Sequence, residues 1–132
     1  MGSFKLILDS NVFIALYFVN DSLHEKAVLL MEGVDDIDIL VPYCVVQEVA
    51  TILTYRLGKT VANKFLSDLK TAGNMFLIDD DVDNEIDFFE SVEKKISFTD
   101  SSLLYLAGKY RANLVTFDQD LLKLYKKRSQ NK

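Results

Sequence analysis

Two short apolar runs, Phe4-Lys5-Leu6-Ile7-Leu8 and Leu114-Val115-Thr116-Phe117, each end at an aspartate, Asp9 and Asp118. Each is then followed by helix-starting residues. Runs of this length, apolar on both faces, are read as strands covered by helices on both sides of a sheet. The alternation repeats along the chain. Helical patterns over Val12 to Phe18 and Leu23 to Met31 precede a strand over Ile37 to Val41. Pro42 then opens a helix to about Leu57, and Thr60 to Lys70 continues as another. A strand over Met75 to Ile78, a helix over Glu85 to Lys94 and a helix from Thr99 to Tyr110 lead to Leu114–Phe117; Leu121 to Lys127 closes the chain. Strands alternating with helices imply an α/β fold. Its form here is a three-layer α/β/α sandwich with a central parallel sheet of about four to five strands. The 132 residues read as one domain, 1–132.

In such a sheet, ligands bind beyond the carboxyl ends of the strands, where Asp9 and Asp118 are expected. Two more acids fall on apolar helical stripes. Glu48 has Val45, Ile52 and Tyr55 at helical spacing, and Asp100 has Leu103, Leu104 and Ala107. Near a helix start, a carboxylate has a plainer purpose as a cap. Four at such positions, with no matching set of Lys or Arg in the pattern, point instead to compensation by an external charge. A carboxylate removed from water costs several kcal/mol or takes up a proton. A hard divalent cation, Mg²⁺ or Mn²⁺, suits an all-oxygen donor set. The chemistry this favours is metal-dependent phosphodiester hydrolysis. Ser10, Asn11, Thr116 and Asp120 are placed to orient ligands or water, or to serve as caps and turn residues.

Composition narrows the alternatives. Net charge is −5, unlike a non-specific nucleic-acid coat, although a metal held by acids reverses the local sign. Against that balance, Lys123, Lys126, Lys127, Arg128 and Lys132 crowd the C-terminal end, as dipole-complementing cations of a frayed helix or as phosphate contacts. The single His24 excludes a His-based zinc site or a His-driven triad within one chain, and the single Cys44 excludes an internal disulfide. Cys44 lies in an apolar run and reads as a small packed residue. Asp79, Asp80, Asp81 and Asp83 lack the glycine-punctuated alternation of a calcium loop and read as a loop and helix start. No apolar stretch is long enough for a membrane span, and no charged leader precedes one. A cytoplasmic location is expected.

The ordered set Asp9-Ser10-Asn11, Glu48, Thr99-Asp100 and Thr116-Phe117-Asp118-Gln119-Asp120-Leu121 resembles the PIN-domain nucleases, over essentially the whole chain. That resemblance implies Mg²⁺- or Mn²⁺-dependent cleavage of RNA. Asp9, Glu48, Asp100 and Asp118 would be the catalytic, metal-binding acids; Asn11, Thr116 and Asp120 would be assisting polar positions. Small members of this length are most often VapC-like toxins, which form homodimers and are blocked by a cognate antitoxin. A dimer is also suggested by Phe13, Leu16, Tyr17, Phe18 and Val19, more apolar than one short helix buries easily. Two alternatives share the fold: a housekeeping RNA-processing or DNA-repair nuclease with the same site, and a non-catalytic binding domain. A receiver-like phosphoacceptor is discounted, because the last strand ends in Thr116-Phe117-Asp118 where that role needs a lysine.

Overall fold

The computed structural model describes residues 4–130. Four strands, β1 (Lys5–Leu8), β2 (Asp38–Pro42), β3 (Met75–Ile78) and β4 (Asn113–Val115), pair in parallel in the order β3-β2-β1-β4. Seven helices flank them: α1 (Ser10–Tyr17), α2 (His24–Glu32), α3 (Tyr43–Leu57), α4 (Lys59–Thr71), α5 (Val82–Ser91), α6 (Phe98–Tyr110) and α7 (Gln119–Gln130). Parallel neighbours need crossovers, and crossovers are right-handed. Stepping outward from β1 to β2 to β3 puts α1–α4 on one face. Returning from β3 to β4 carries α5 and α6 across the other.

Both faces of the sheet are covered. Ile7, Leu8, Ile39 and Val41 are fully buried, and Phe13, Val45, Val49, Leu53 and Phe65 close the core from the α1–α4 side. Leu103 and Leu106 of α6 and Leu121 of α7 are also fully buried in the same core. Burial of each such side chain contributes about 1.5–3 kcal/mol. Phe13 and Tyr17 pack edge-on against Phe65 at ring separations of 5.5 and 5.6 Å. Of the expected apolar cluster, Phe13 is core and Tyr17 packs against it, whereas Leu16 and Phe18 are half-buried and Val19 is exposed. His24, through Nδ1, donates to the Ala15 carbonyl at 2.8 Å and ties α2 to α1.

β1 is central, with β2 on one side and β4 on the other, so the strand order reverses beside it. Such a reversal opens a crevice at the carboxyl ends of the strands. The ladder continues one residue past β1, where Asp9 N–H donates to the Val115 carbonyl at 3.0 Å. That bond sets Asp9 beside Thr116 at the mouth of the crevice.

Candidate metal centre

Asp9 is the N-cap of α1 and is 5% exposed. One carboxylate oxygen accepts from Ser10 N–H at 2.6 Å, and the other accepts from the Thr116 hydroxyl at 2.7 Å. Thr116 Oγ1 in turn accepts from Asp118 N–H at 3.0 Å and from Asn11 Nδ2 at 3.3 Å. Asn11 Oδ1 accepts from Phe117 N–H at 3.2 Å. Six residues from opposite ends of the chain thus form one network centred on a single hydroxyl. Asp118 caps α7, its Oδ1 accepting from Asp120 N–H at 2.9 Å and Leu121 N–H at 3.2 Å. Its other oxygen makes no hydrogen bond among the described residues.

Glu48 and Asp100 come to this place from α3 and α6, both half-buried. Asp100 lies in the first turn of α6, where its N–H donates to the Ser97 hydroxyl at 3.0 Å. The four acids share one electrostatic field. Burial, then the charges of Asp9, Asp118 and Glu48, push the Asp100 carboxyl up to about 6. Burial raises Asp9 as well; the Thr116 and Ser10 hydrogen bonds oppose this, and the Glu48 and Asp118 charges add to it. Among the described residues the only two ion pairs are Lys64–Asp68 and Lys109–Asp81, so no lysine or arginine neutralises any of the four.

The expected burial needs correction. Only Asp9 is buried; Asp118 is exposed, and its apolar run leaves the strand at Val115 so that Thr116 can turn into the network. The stripe expected around Glu48 is also out of phase. The buried face of α3 runs Val45-Val49-Leu53, and Tyr55 is 85% exposed. Glu48 therefore stands on the shoulder of that face, near enough for its charge to act on Asp9 and Asp100. The stripe around Asp100 is as expected, with Leu103, Leu104 and Ala107 all buried. Asp120 is exposed and joins the network only through its backbone N–H.

The residues fit a divalent cation in donor chemistry. All donors are oxygens, and their charge is uncompensated. Ser10 Oγ, next in the chain to Asp9, and Ser101 Oγ and Ser102 Oγ, following Asp100, are buried without a hydrogen-bond partner among the described residues. Ser101 was not anticipated; a serine after an acid in a helix has no distinctive sequence signal. Among the described residues, no three acidic, histidine or cysteine side chains converge into a ready ligand set. Elsewhere, Cys44 is half-buried and its thiol is raised by burial, which leaves it inert.

Thr116 is the hub on which this geometry depends. Thr116→Val keeps the shape and removes the hydroxyl, leaving Asp9 and Asp118 N–H each short of a partner. Stability should fall by about 1–3 kcal/mol in urea titration. An unchanged midpoint would show that water replaces the hydroxyl at no cost.

No curated relative matches the chain by sequence. Among solved structures, it is similar to the Mycobacterium tuberculosis VapC20 toxin, described as cleaving the sarcin-ricin loop. The TM-score is 0.80 at 21% identity, covering 90% of this chain and 94% of that one. FitAcB from Neisseria gonorrhoeae is similar with TM-score 0.61 at 17% identity, covering 92% and 93%. FitAB bound to a DNA fragment matches with TM-score 0.61 at 16% identity, covering 92% and 90%. At such identities the likeness carries the fold alone, a parallel sheet between helical layers. The PIN domain family matches over residues 6–127, from β1 through α7, and with that span the chain belongs to the PIN domain family.

Proposed function

We propose that this protein is a metal-dependent endoribonuclease, a VapC-like toxin of a toxin–antitoxin pair acting in the cytoplasm. The observation that carries the reading is the shared field of Asp9, Glu48, Asp100 and Asp118, with no ion pair to balance it among the described residues. These four would hold Mg²⁺ or Mn²⁺. A bound ion would supply Lewis acidity toward the phosphate and would acidify water. Thr116 and Asn11 fix the Asp9 carboxylate in place, and the hydrogen bonds from Thr116 and Ser10 favour its ionised form against the cost of burial. Asp120 is left free to orient water or substrate from the rim. The similarity to VapC20 and to the FitAB pair supports a toxin with a cognate antitoxin. Homodimerisation is supported by an exposed apolar stripe on α5, Val82, Ile86 and Phe89, with Phe98 packed on Phe89 at 5.3 Å.

The test is cleavage of an end-labelled single-stranded RNA with Mn²⁺, Mg²⁺ or EDTA. Cleavage in either metal and none in EDTA is expected. Glu48→Gln should lower both metal affinity and rate by at least about 10–100-fold, the loss that removing a partner outside the ligand set already brings. Equal affinity and rate would assign Glu48 to the packing of α3. No cleavage and no metal-induced change in melting temperature would turn the reading to a binding domain.

A further inference from the structure

The nuclease reading accounts for the acids and leaves the cations unexplained. In a chain of net charge −5, α7 carries Lys123, Lys126, Lys127 and Arg128 against the single Asp120, and all four cations are exposed. Complementing the helix dipole explains Lys127 and Arg128 in the last turn but not Lys123, which lies earlier. The helix is capped by Asp118, one of the four acids, and rises about 17 Å along its axis. Its far end meets a groove of about 810 Å³ between α6, α7 and the start of β4. Three cations line that groove: Lys109, Arg111 and Arg128.

Lys109 is taken by Asp81, at 2.9 Å. Arg111 and Arg128 enter no ion pair among the described residues. Arg111 is exposed and holds a left-handed backbone conformation, φ 55°, at a helix end where glycine is the usual residue. Glycine would relieve that strain and lose the guanidinium. The Arg128 guanidinium lies 4.6 Å above the centre of the Phe88 ring, and Tyr105 and Tyr125 complete the wall. Guanidinium and aromatic planes are the surfaces on which unpaired bases stack, while spaced cations track phosphates.

We infer that α7 and the groove at its end form an exosite for single-stranded RNA, holding the substrate strand away from the scissile phosphate. Lys123 and Lys127, one turn apart on one face, contact the backbone between the acids and the groove. Arg111 and Arg128 anchor the strand at the distal end. This deepens the nuclease reading by assigning where a longer substrate is gripped, and it rests on that reading for the identity of the strand.

The experiment compares Arg111→Gln/Arg128→Gln with the wild type on two single-stranded RNAs, roughly 30 and roughly 5 nucleotides long, in Mn²⁺. On the longer RNA, KM should rise about tenfold or more with kcat unchanged, and the slope of log affinity against log salt should shrink by about 1.4. Kinetics on the short RNA should not change. An equal KM for both proteins on the longer RNA would overturn the exosite. Lys123→Gln/Lys127→Gln, on the exposed face of α7, should give the same pattern if the groove variant fails to fold. If the wild type cleaves neither RNA, the nuclease reading fails separately. Fluorescence anisotropy of the longer RNA then decides the exosite, with equal binding by wild type and variant rejecting it.

Discussion

Asp9→Asn should abolish RNA cleavage while leaving the fold intact. A rate loss well beyond about a hundredfold is expected, since even a partner outside the ligand set costs 10–100-fold. Asp9 is the most enclosed of the four acids, and both of its carboxylate oxygens are held, one by Ser10 N–H and the other by the Thr116 hydroxyl. An amide keeps the shape and removes the charge a cation needs. It also turns one acceptor into a donor, so one of the two hydrogen bonds must rearrange. Opposing that loss is relief from burying a charge beside Glu48 and Asp118, both of which raise Asp9. The two effects are similar in size, about 1–3 kcal/mol each, so the metal-free variant should melt near the wild type. Circular dichroism melting without metal, read beside the cleavage assay, separates the outcomes. Full activity in a folded Asp9→Asn protein would remove Asp9 from the centre. Lost activity with a collapsed melting temperature would make Asp9 a cap and nothing more.

The elements were legible wherever local chemistry decides them. β1 and β3 fall within or at the expected apolar runs, and Gly58, at φ 99°, closes α3 as its position after Leu57 indicated. The candidate acids stood out because carboxylates ending apolar strands are costly without compensation. What stayed hidden is non-local. Thr116 meets Asp9 across 107 positions of sequence, and no window of residues contains that hydrogen bond. The helix expected from Glu85 begins at Val82, because Asp81 before it is anchored to α6 by the Tyr105 hydroxyl at 2.6 Å and by Lys109. That tertiary tie fixes a start that the acidic run Asp79–Asp83 leaves ambiguous. α7 runs from Gln119 to Gln130, beyond Leu121–Lys127 at both ends, because Asp118 supplies its cap. Lys132 of the basic end lies outside the described residues. The phase of α3 was misjudged through Tyr55, whose ring and hydroxyl suit solvent as well as a core; the alternative stripe through Val49 and Leu53 is the one buried.

Without metal, the protein should lose stability as pH rises from about 4 to 6, the reverse of ordinary acid denaturation. The cause is Asp100, raised from 3.8 to about 6, with Asp9 raised in the same direction. Between those values the folded state binds more protons than the unfolded chain, so the stability slope with pH is negative. The contribution is fully present below about 4 and is lost as pH climbs through about 6. Asp81 works in the opposite sense and in a different window. The hydrogen bonds from Tyr105 and Lys109 hold it down to about 2, so its contribution is lost only as pH falls from about 4 toward 2. The metal-free stability profile should therefore peak near pH 4 to 5. Mn²⁺ requires the ionised acids, so its stabilisation should be small at pH 4.5, grow through pH 6, and then level. At a concentration about 100 times Kd, linkage gives about 2.7 kcal/mol, a rise in Tm on the order of 8–10 °C for a chain this size. Thermal melts across pH with Mn²⁺ or EDTA test both halves, with Asp100→Asn as the control that should flatten the EDTA slope. A metal-free protein that instead gains stability from pH 4 to 6 would mean the four acids do not share a field. A slope of the expected sign with no response to Mn²⁺ would mean they share one without forming a metal centre.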